Sequence, residues 1–293
     1  MPDLSPSMQV PNPRLQALAE ALAALPHVIA VARGGSAITG GADAHSDWDL
    51  YVISTAPVPV ADRRALAERF AGPEYGRVEV GNPFWGPGDE WALREGGQPV
   101  DLIYWEAAWI EEQLARVLDR HEAWVGYTTC FWYTILHSEP LIDPSGWYAR
   151  LQDKARQPYP EALRRAIIAN NFPLLRQVRS SFRHQIESAL ARQDRVSLNH
   201  RTAALLASAF DVIFAANRVP HPGEKRLLDR AIRLCPALPH HLPVLVDELV
   251  EAVGAPWNHQ PILARVDALV DSLEVMLIGQ GLLGAGGEVL PPP

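Results

Sequence analysis

The chain has 293 residues, of which 48% are hydrophobic and 20% are charged, and its formal net charge is −8. This composition predicts a folded protein with a sizeable core, excludes a disordered chain, and argues against a dedicated nucleic-acid-binding protein, which needs a concentrated basic face. The sequence contains 2 cysteines and no evident secretory signal or membrane-spanning run, so we expect a soluble, cytoplasmic protein without disulfides or a membrane partner.

The N-terminal half alternates between helical and strand patterns. Leucines at helical spacing and short apolar, β-branched runs indicate the two kinds of element, and Gly- and Pro-rich stretches separate them. In chain order, the predicted elements are a helix over 13–25, strands over 27–33 and 48–54, a helix over 60–70, strands over 77–80 and 100–105, and helices over 106–119 and 123–137. The stretch between the last two strands, 81–99, is rich in Gly, Pro and Trp and reads as a long loop.

The C-terminal half carries only helix-compatible patterns. They cover residues 160–191, 196–218, 224–234, 241–253 and 260–280. Pro173 interrupts the first and predicts a kink or break there. The sequence therefore predicts an α+β protein in which a mixed sheet with flanking helices, over 1–140, is followed by an all-α helical bundle over 145–293.

An acidic pair opens the second predicted strand. Asp47 and Asp49 flank Trp48, and because alternate strand residues point to the same face, the two carboxylates should lie side by side. Adjacent like charges repel unless a cation lies between them. A hard divalent cation such as Mg²⁺, held by one or two carboxylates plus substrate phosphates, is the natural occupant.

A third acid lies on a later strand. Asp101 stands near the start of the predicted strand 100–105, which could pair beside the strand of Asp49. Three carboxylates on neighbouring strands can hold two metal ions, and such a pair clamps the attacking and leaving oxygens of an in-line displacement at phosphorus. We therefore expect two Mg²⁺ ions and a phosphoryl-transfer reaction.

A glycine turn precedes the acids. The first strand runs into Gly34, Gly35 and Ser36, and glycines allow the backbone amides of such a turn to face an anion. A further loop ends in Ser46, directly before the acidic pair. Such a glycine turn can therefore bind an anion.

Together these features resemble the polymerase-beta-type nucleotidyltransferase superfamily. That pattern has a strand ending in Gly-Ser or Gly-Gly, a loop of about ten residues, an Asp-x-Asp at the start of the next strand and a third acid on a later strand. The resemblance covers roughly residues 27–105, and it implies that Gly34, Gly35, Ser36 and Ser46 contact the phosphates of a nucleotide. The family often has Gly-Ser directly after the strand, whereas this chain has Gly-Gly-Ser, so the register of the turn is open by one residue.

The helical half extends the resemblance to aminoglycoside nucleotidyltransferases and their bacterial relatives. The segment NRVPHPGEKRLL, residues 217–228, is similar to an Asn-x-x-x-x-Pro-Gly-x-Lys stretch of those relatives. In the family, a lysine from the helical domain reaches the nucleotide phosphates, and the resemblance assigns this role to Lys225. Lys225 is also one of only 2 lysines among 26 basic residues.

The resemblance implies transfer of a nucleoside monophosphate, AMP from ATP, to a hydroxyl of a small molecule such as an aminoglycoside antibiotic. Two alternatives use the same fold: transfer of AMP to a protein hydroxyl, or a non-catalytic nucleotide-binding or antitoxin-like protein. A second choice concerns the third acid. Glu79 lies in a Val-Glu-Val context used by some antibiotic-modifying relatives, so either Asp101 or Glu79 could be the third acid or the general base.

Overall fold

The computed structural model describes residues 12–35, 47–82, 84, 86–254 and 262–290. Its strands are β1 (Val28–Arg33), β2 (Trp48–Ser54), β3 (Glu79–Asn82), β4 (Gly88–Ala92), β5 (Pro99–Glu106) and β6 (Glu139–Ile142). Its helices are α1 (Pro13–Ala23), α2 (Val60–Phe70), α3 (Ala107–Leu118), α4 (Cys130–His137), α5 (Trp147–Ala155), α6 (Glu161–Arg176), α7 (Phe182–Ala191), α8 (Arg195–Ala216), α9 (Leu227–Leu234), α10 (Leu242–Gly254) and α11 (Ile262–Gly279). The predicted α+β class is confirmed.

The described residues divide into two compact units. The sheet unit contains the chain up to residue 112 together with 134–156, and the helical unit contains 113–133 together with the chain from 157 onward. The two units thus interleave along the chain, whereas the sequence places one boundary between 140 and 145. Among the residues described, no helix combines the length and apolar character needed to cross a bilayer.

The sheet is mixed, as the sequence predicts. Its strands lie in the order β3-β4-β5-β2-β1-β6. The central pair β2 and β5 is parallel, and the other neighbouring pairs are antiparallel. A parallel pair needs a crossover connection, which the chain between β2 and β5 supplies with α2 and the β3–β4 hairpin.

One face of the sheet packs on α1 and α2. Leu50 and Val52 of β2 and Leu102 of β5 join leucines of both helices in a single buried cluster. Because strand residues alternate between faces, their neighbours Asp49 and Asp101 point to the opposite face. The alternation of apolar side chains along β2 and β5 therefore determines which face of the sheet carries the acids.

Two strands occupy stretches in which the sequence predicts none. β4 lies within 81–99, which was expected to be a loop, and β6 lies at the expected end of the sheet domain, where no strand was predicted. Both contain residues that disfavour strands, including Gly88 and Asp89 in β4 and Pro140 in β6. β6 is an edge strand that pairs only with β1, where proline is tolerated.

Helix boundaries also differ from the expectation at two places. α4 begins at Cys130 instead of residue 123, and α5 forms where no helix was assigned. No break falls at Pro173, because α6 continues through it to Arg176, and the chain leaves the helix at residues 177–181, before α7. The alternative, a kink at Pro173, stays a prediction. The core of the helical unit is one buried apolar cluster drawn from α6 to α11.

Candidate active site

The two central acids lie on neighbouring parallel strands. Asp49 of β2 is the in-register partner of Asp101 of β5, so the two side chains leave the same face from backbones ~4.8 Å apart. Both residues are partly buried, whereas Asp47 precedes β2 and is exposed. The predicted pairing of the Asp101 strand beside the Asp49 strand is confirmed, and the catalytic role of these residues stays a prediction.

The row of acids continues across two further strands. Glu90 of β4 pairs with Asp101, and Glu79 of β3 pairs with Glu90. We call Asp49, Asp101, Glu90 and Glu79 the acid row. Glu79 is three interstrand steps from Asp49, or ~14 Å, and it forms an ion pair of 2.9 Å with Arg77. This placement favours Asp101 over Glu79 as the acid that acts together with Asp49.

Glu90 is the member of the acid row that sequence reasoning missed. It is exposed and is flanked by the buried side chains of Asp89 and Trp91. Alternation of buried and exposed residues is typical of a strand. The sequence does not show it here, because one of the buried positions is occupied by the charged residue Asp89. Asp89 belongs to the opposite face, where it accepts hydrogen bonds from Arg63 and from the Tyr104 hydroxyl.

The turn after β1 is packed directly against β2. The Gly34 amide donates to the Asp49 carbonyl at 2.9 Å, so this amide is engaged within the sheet. A Cβ on Gly34 would lie 2.2 Å from Cε2 of Tyr51, and one on Gly35 would lie 1.6 Å from Oδ2 of Asp49. The phosphate contact predicted for this turn therefore depends on Gly35 and Ser36. Ser36 and Ser46 lie outside the described residues.

An aromatic stack follows the acids on the same face. The Tyr51 ring stacks on Trp105 with centroids 4.4 Å apart and planes inclined by 12°. Burial, together with the negative charge of Asp49, raises the pKa of the Tyr51 hydroxyl, which therefore stays neutral. The stack places an aromatic surface on the face of the sheet that carries the carboxylates.

A small cavity opens beside Asp101. Its volume is about 180 Å³, and its lining includes both Asp101 and Glu90 as well as Asn82, Ile103 and Trp105. One wall is therefore acidic and another is aromatic. A cavity of this kind suits a hydroxylated ring that carries a positive charge.

The donor chemistry of Asp49 and Asp101 is compatible with Mg²⁺. Carboxylate oxygens are the ligands that this ion prefers, and Mg²⁺ is commonly held by one or two carboxylates with substrate phosphates completing its shell. Among the described residues, no group of three or more His, Cys, Asp and Glu side chains is arranged to hold a metal ion. The strand register places the carboxylates of Asp49 and Asp101 side by side. The phosphate oxygens of a nucleotide are of the kind that completes the shell of such an ion.

Lys225 lies in the helical unit at an exposed turn. It stands two residues before α9, after Gly223 at φ +91° and before Arg226 at φ +53°. Two left-handed residues close together make a tight turn whose shape is set by the backbone. The lysine predicted to reach phosphate is thus carried by a defined turn.

A family model described as a domain of unknown function, DUF4037, matches residues 129–227. No curated protein matches the chain. The matched segment includes the turn that carries Lys225 but neither Asp49 nor Asp101.

Two solved structures are similar to the chain at low identity. A nucleotidyltransferase-like protein from Exiguobacterium sibiricum is 12% identical with a TM-score of 0.43, over 92% of this chain and 75% of that one. The spectinomycin adenyltransferase AAD(9) from Enterococcus faecialis, solved with ATP and spectinomycin, is 12% identical with a TM-score of 0.28, over 89% of this chain and 97% of that one. Any assignment of function therefore depends on the residues of this chain.

Proposed function

We propose that this chain is a Mg²⁺-dependent nucleotidyltransferase that transfers AMP from ATP to a hydroxyl of a small molecule and releases pyrophosphate. The observation that carries the proposal is the in-register pair of Asp49 and Asp101, with the glycine turn packed on the first of them. Two carboxylates beside a backbone turn can serve a triphosphate with its metal.

The reaction needs positioning and charge stabilisation more than covalent chemistry from the protein. The acceptor oxygen bonds to the α-phosphorus, the bond from that phosphorus to the bridging oxygen breaks, and pyrophosphate leaves with the electron pair. When bound, Mg²⁺ neutralises part of the triphosphate charge and makes the phosphorus more electrophilic. Asp47 and Asp49 would hold it, together with Asp101.

The chain's own groups divide the remaining tasks. Asp101 orients the acceptor hydroxyl and takes its proton, as a carboxylate within hydrogen-bond reach of the attacking oxygen can. Gly35 and Ser36 contact the β- and γ-phosphates, Ser46 is a further contact to the nucleotide, and Lys225 contributes a compact positive charge to the phosphates. Glu79, at the edge of the sheet, is the alternative proton acceptor.

The cavity beside Asp101 supports one class of acceptor. Glu90 and Asp101 attract amines, and Trp105 offers a flat surface to a sugar or cyclitol ring. An aminoglycoside-type antibiotic combines hydroxyls with amines, so it is the acceptor we propose first. A protein hydroxyl is the second class to be tested, since the transfer chemistry would be the same.

The direct test is transfer of AMP. Purified protein is incubated with MgCl₂, labelled ATP and a panel of aminoglycosides, and the products are scored by the mass gain of one AMP and by pyrophosphate release. The expected result is Mg²⁺-dependent release that requires an acceptor. Label on the protein itself would point to the protein-directed alternative.

The matched variants are Asp49→Asn and Asp247→Asn. Both remove one carboxylate, but Asp247 is exposed on α10 in the helical unit. Asp49→Asn should abolish pyrophosphate release while the fold is retained, and Asp247→Asn should leave the rate unchanged. Full Mg²⁺-dependent activity in Asp49→Asn would contradict the proposal, and ATP binding without any turnover across all acceptors would favour the non-catalytic alternative.

A further inference from the structure

A histidine is fully buried beneath the turn that carries Lys225. The His221 ring lies between Tyr127 and Phe214, with centroid distances of 5.0 and 4.9 Å. Its Nε2 is buried and has no hydrogen-bond partner among the residues that the structure describes. An unpaired buried polar atom costs about 1–3 kcal/mol, so an apolar ring would fill this space at lower cost. We therefore expect the imidazole to stabilise the fold through a hydrogen bond of its other nitrogen, Nδ1.

That nitrogen, Nδ1, holds the backbone of the turn. The Gly223 amide donates to it at 3.1 Å. Because an amide can only donate, Nδ1 must be an acceptor, and the ring proton of the neutral imidazole is on Nε2. The Cys130 thiol lies 3.4 Å from the same atom and can donate as well.

Protonation states agree with this arrangement. Burial lowers the pKa of His221 to about 3, so the ring is neutral and keeps its acceptor over the physiological range. Burial raises the pKa of Cys130 to about 12, so the thiol keeps its proton and remains a donor. Neither group titrates near neutral pH.

Two more contacts hold consecutive residues of the same turn. The His221 amide donates to Oγ1 of Thr129 at 2.7 Å, and the Pro222 carbonyl accepts from the Arg230 guanidinium at 2.5 Å. With the contact to Gly223, three successive residues are thus tied to the helical unit immediately before Lys225. The lysine is exposed while the backbone that carries it is held from below.

We propose that His221 is a positioning residue, whose Nδ1 orders the turn over residues 221–226 and thereby presents Lys225 to the phosphates of the nucleotide. The phosphate contact rests on the proposed function, whereas the ordering of the turn does not. Loss of the acceptor should therefore loosen the turn first and weaken nucleotide binding as a consequence.

The matched variants are His221→Asn and His221→Gln. Both remove the ring and its packing, but the Asn carbonyl oxygen can take the position of Nδ1, whereas the longer Gln places its polar group near the position of Nε2. Asn should therefore keep the bond from the Gly223 amide, and Gln should lose it. A difference between the two variants isolates the acceptor from the loss of packing.

The lysine content of the chain provides a specific probe of the turn. An endoproteinase that cleaves only after lysine can cut at 2 sites, Lys154 in α5 and Lys225. His221→Gln should be cleaved after Lys225 about tenfold faster than the natural protein, the effect of losing a hydrogen bond of ~1.4 kcal/mol. His221→Asn should stay close to the natural rate, and cleavage after Lys154 should be the same in all three proteins. Equal rates after Lys225 in the Asn and Gln variants, whether slow or fast, would overturn the proposal.

Calorimetry with Mg-ATP tests the second step. His221→Gln should weaken binding about tenfold and His221→Asn by less than about threefold, with no additional loss when His221→Gln is combined with Lys225→Ala. Additive losses would overturn an action of His221 through Lys225. Unchanged binding in Lys225→Ala would overturn the phosphate role of this lysine in the proposed function, while the difference in cleavage would still support His221 as the residue that orders the turn.

Discussion

The carboxylate of Asp49 occupies the space that any side chain on residue 35 would need. A Cβ on Gly35 would lie 1.6 Å from Oδ2 of Asp49, and Gly35 has a φ of +73°. Glycine is therefore required at this position for two reasons: the backbone conformation is left-handed, and the Asp49 carboxylate leaves no room for a Cβ. The turn and the acid form one structural unit, which links the proposed phosphate contact to the proposed metal ligand.

Gly35→Ala should disable the site beyond its effect on stability. The alanine must displace the Asp49 carboxylate in addition to the ~1–2 kcal/mol of left-handed strain. Gly281→Ala is the matched control, because Gly281 has a φ of +66° with nothing within 4 Å of a Cβ. We expect both variants to lose stability in urea denaturation, Gly35→Ala by at least as much as Gly281→Ala, and only Gly35→Ala to lose Mg-ATP binding by calorimetry. Similar ATP affinity in the two variants would contradict this.

Asp101→Asn should slow the reaction far more than Glu79→Gln does. Asp101 is the in-register partner of Asp49, whereas Glu79 lies three strands away from β2 and is paired with Arg77. A group that acts in the transition state is worth ~10²-fold or more, so the pyrophosphate-release rate should fall by that factor in Asp101→Asn. An inactive Glu79→Gln beside an active Asp101→Asn would assign the role to the other strand.

Arg63→Ala should destabilise the sheet unit strongly. The Arg63 guanidinium donates to both oxygens of the buried Asp89, at 3.0 and 2.5 Å, and removal of one partner of a buried pair costs ~3–5 kcal/mol. Its neighbour Arg64 is exposed, so Arg64→Ala should change the free energy of unfolding by less than ~0.5 kcal/mol. Urea denaturation of both variants provides the comparison. Equal midpoints would show that the pair does not stabilise the sheet.

Asp211 should make the stability of the helical unit depend on pH. Burial raises the pKa of this carboxyl to about 7, although it accepts from Oγ1 of Thr128 at 2.7 Å. Between pH ~4 and ~7 the folded state keeps a proton that the unfolded state has lost. Its contribution to stability is therefore present at low pH and is lost as pH rises, by up to ~1.4 kcal/mol per unit.

The comparison with Asp211→Asn isolates this effect, since the amide is isosteric and does not ionise. The free energy of unfolding of the natural protein, relative to that of the variant, should fall as the pH of urea denaturation increases from about 5 to about 7. It should be constant at higher pH. A difference that does not vary with pH would place the pKa of Asp211 near its ordinary value.

The local spacing of apolar residues was sufficient to predict several elements of the sheet unit. The apolar runs of β1, β2 and β5 and the leucine spacing of α1 predict these elements, and alternation along β2 predicts the face of Asp49, because each signal comes from residues close together in the chain. The acidic pair and the glycine turn were likewise visible as a motif.

Other features, including β4 and the contacts of His221, depend on residues that are far apart in the chain. β4 has a buried Asp89 whose charge is balanced by Arg63, 26 residues earlier in the chain, so no local pattern could identify the strand or place Glu90 in the acid row. The role of His221 is likewise invisible in the sequence, because Thr129 and Cys130 reach it from 91 or 92 residues away. Strand register and buried polar contacts join residues that are far apart in the chain. They cannot be predicted from local patterns in a single sequence.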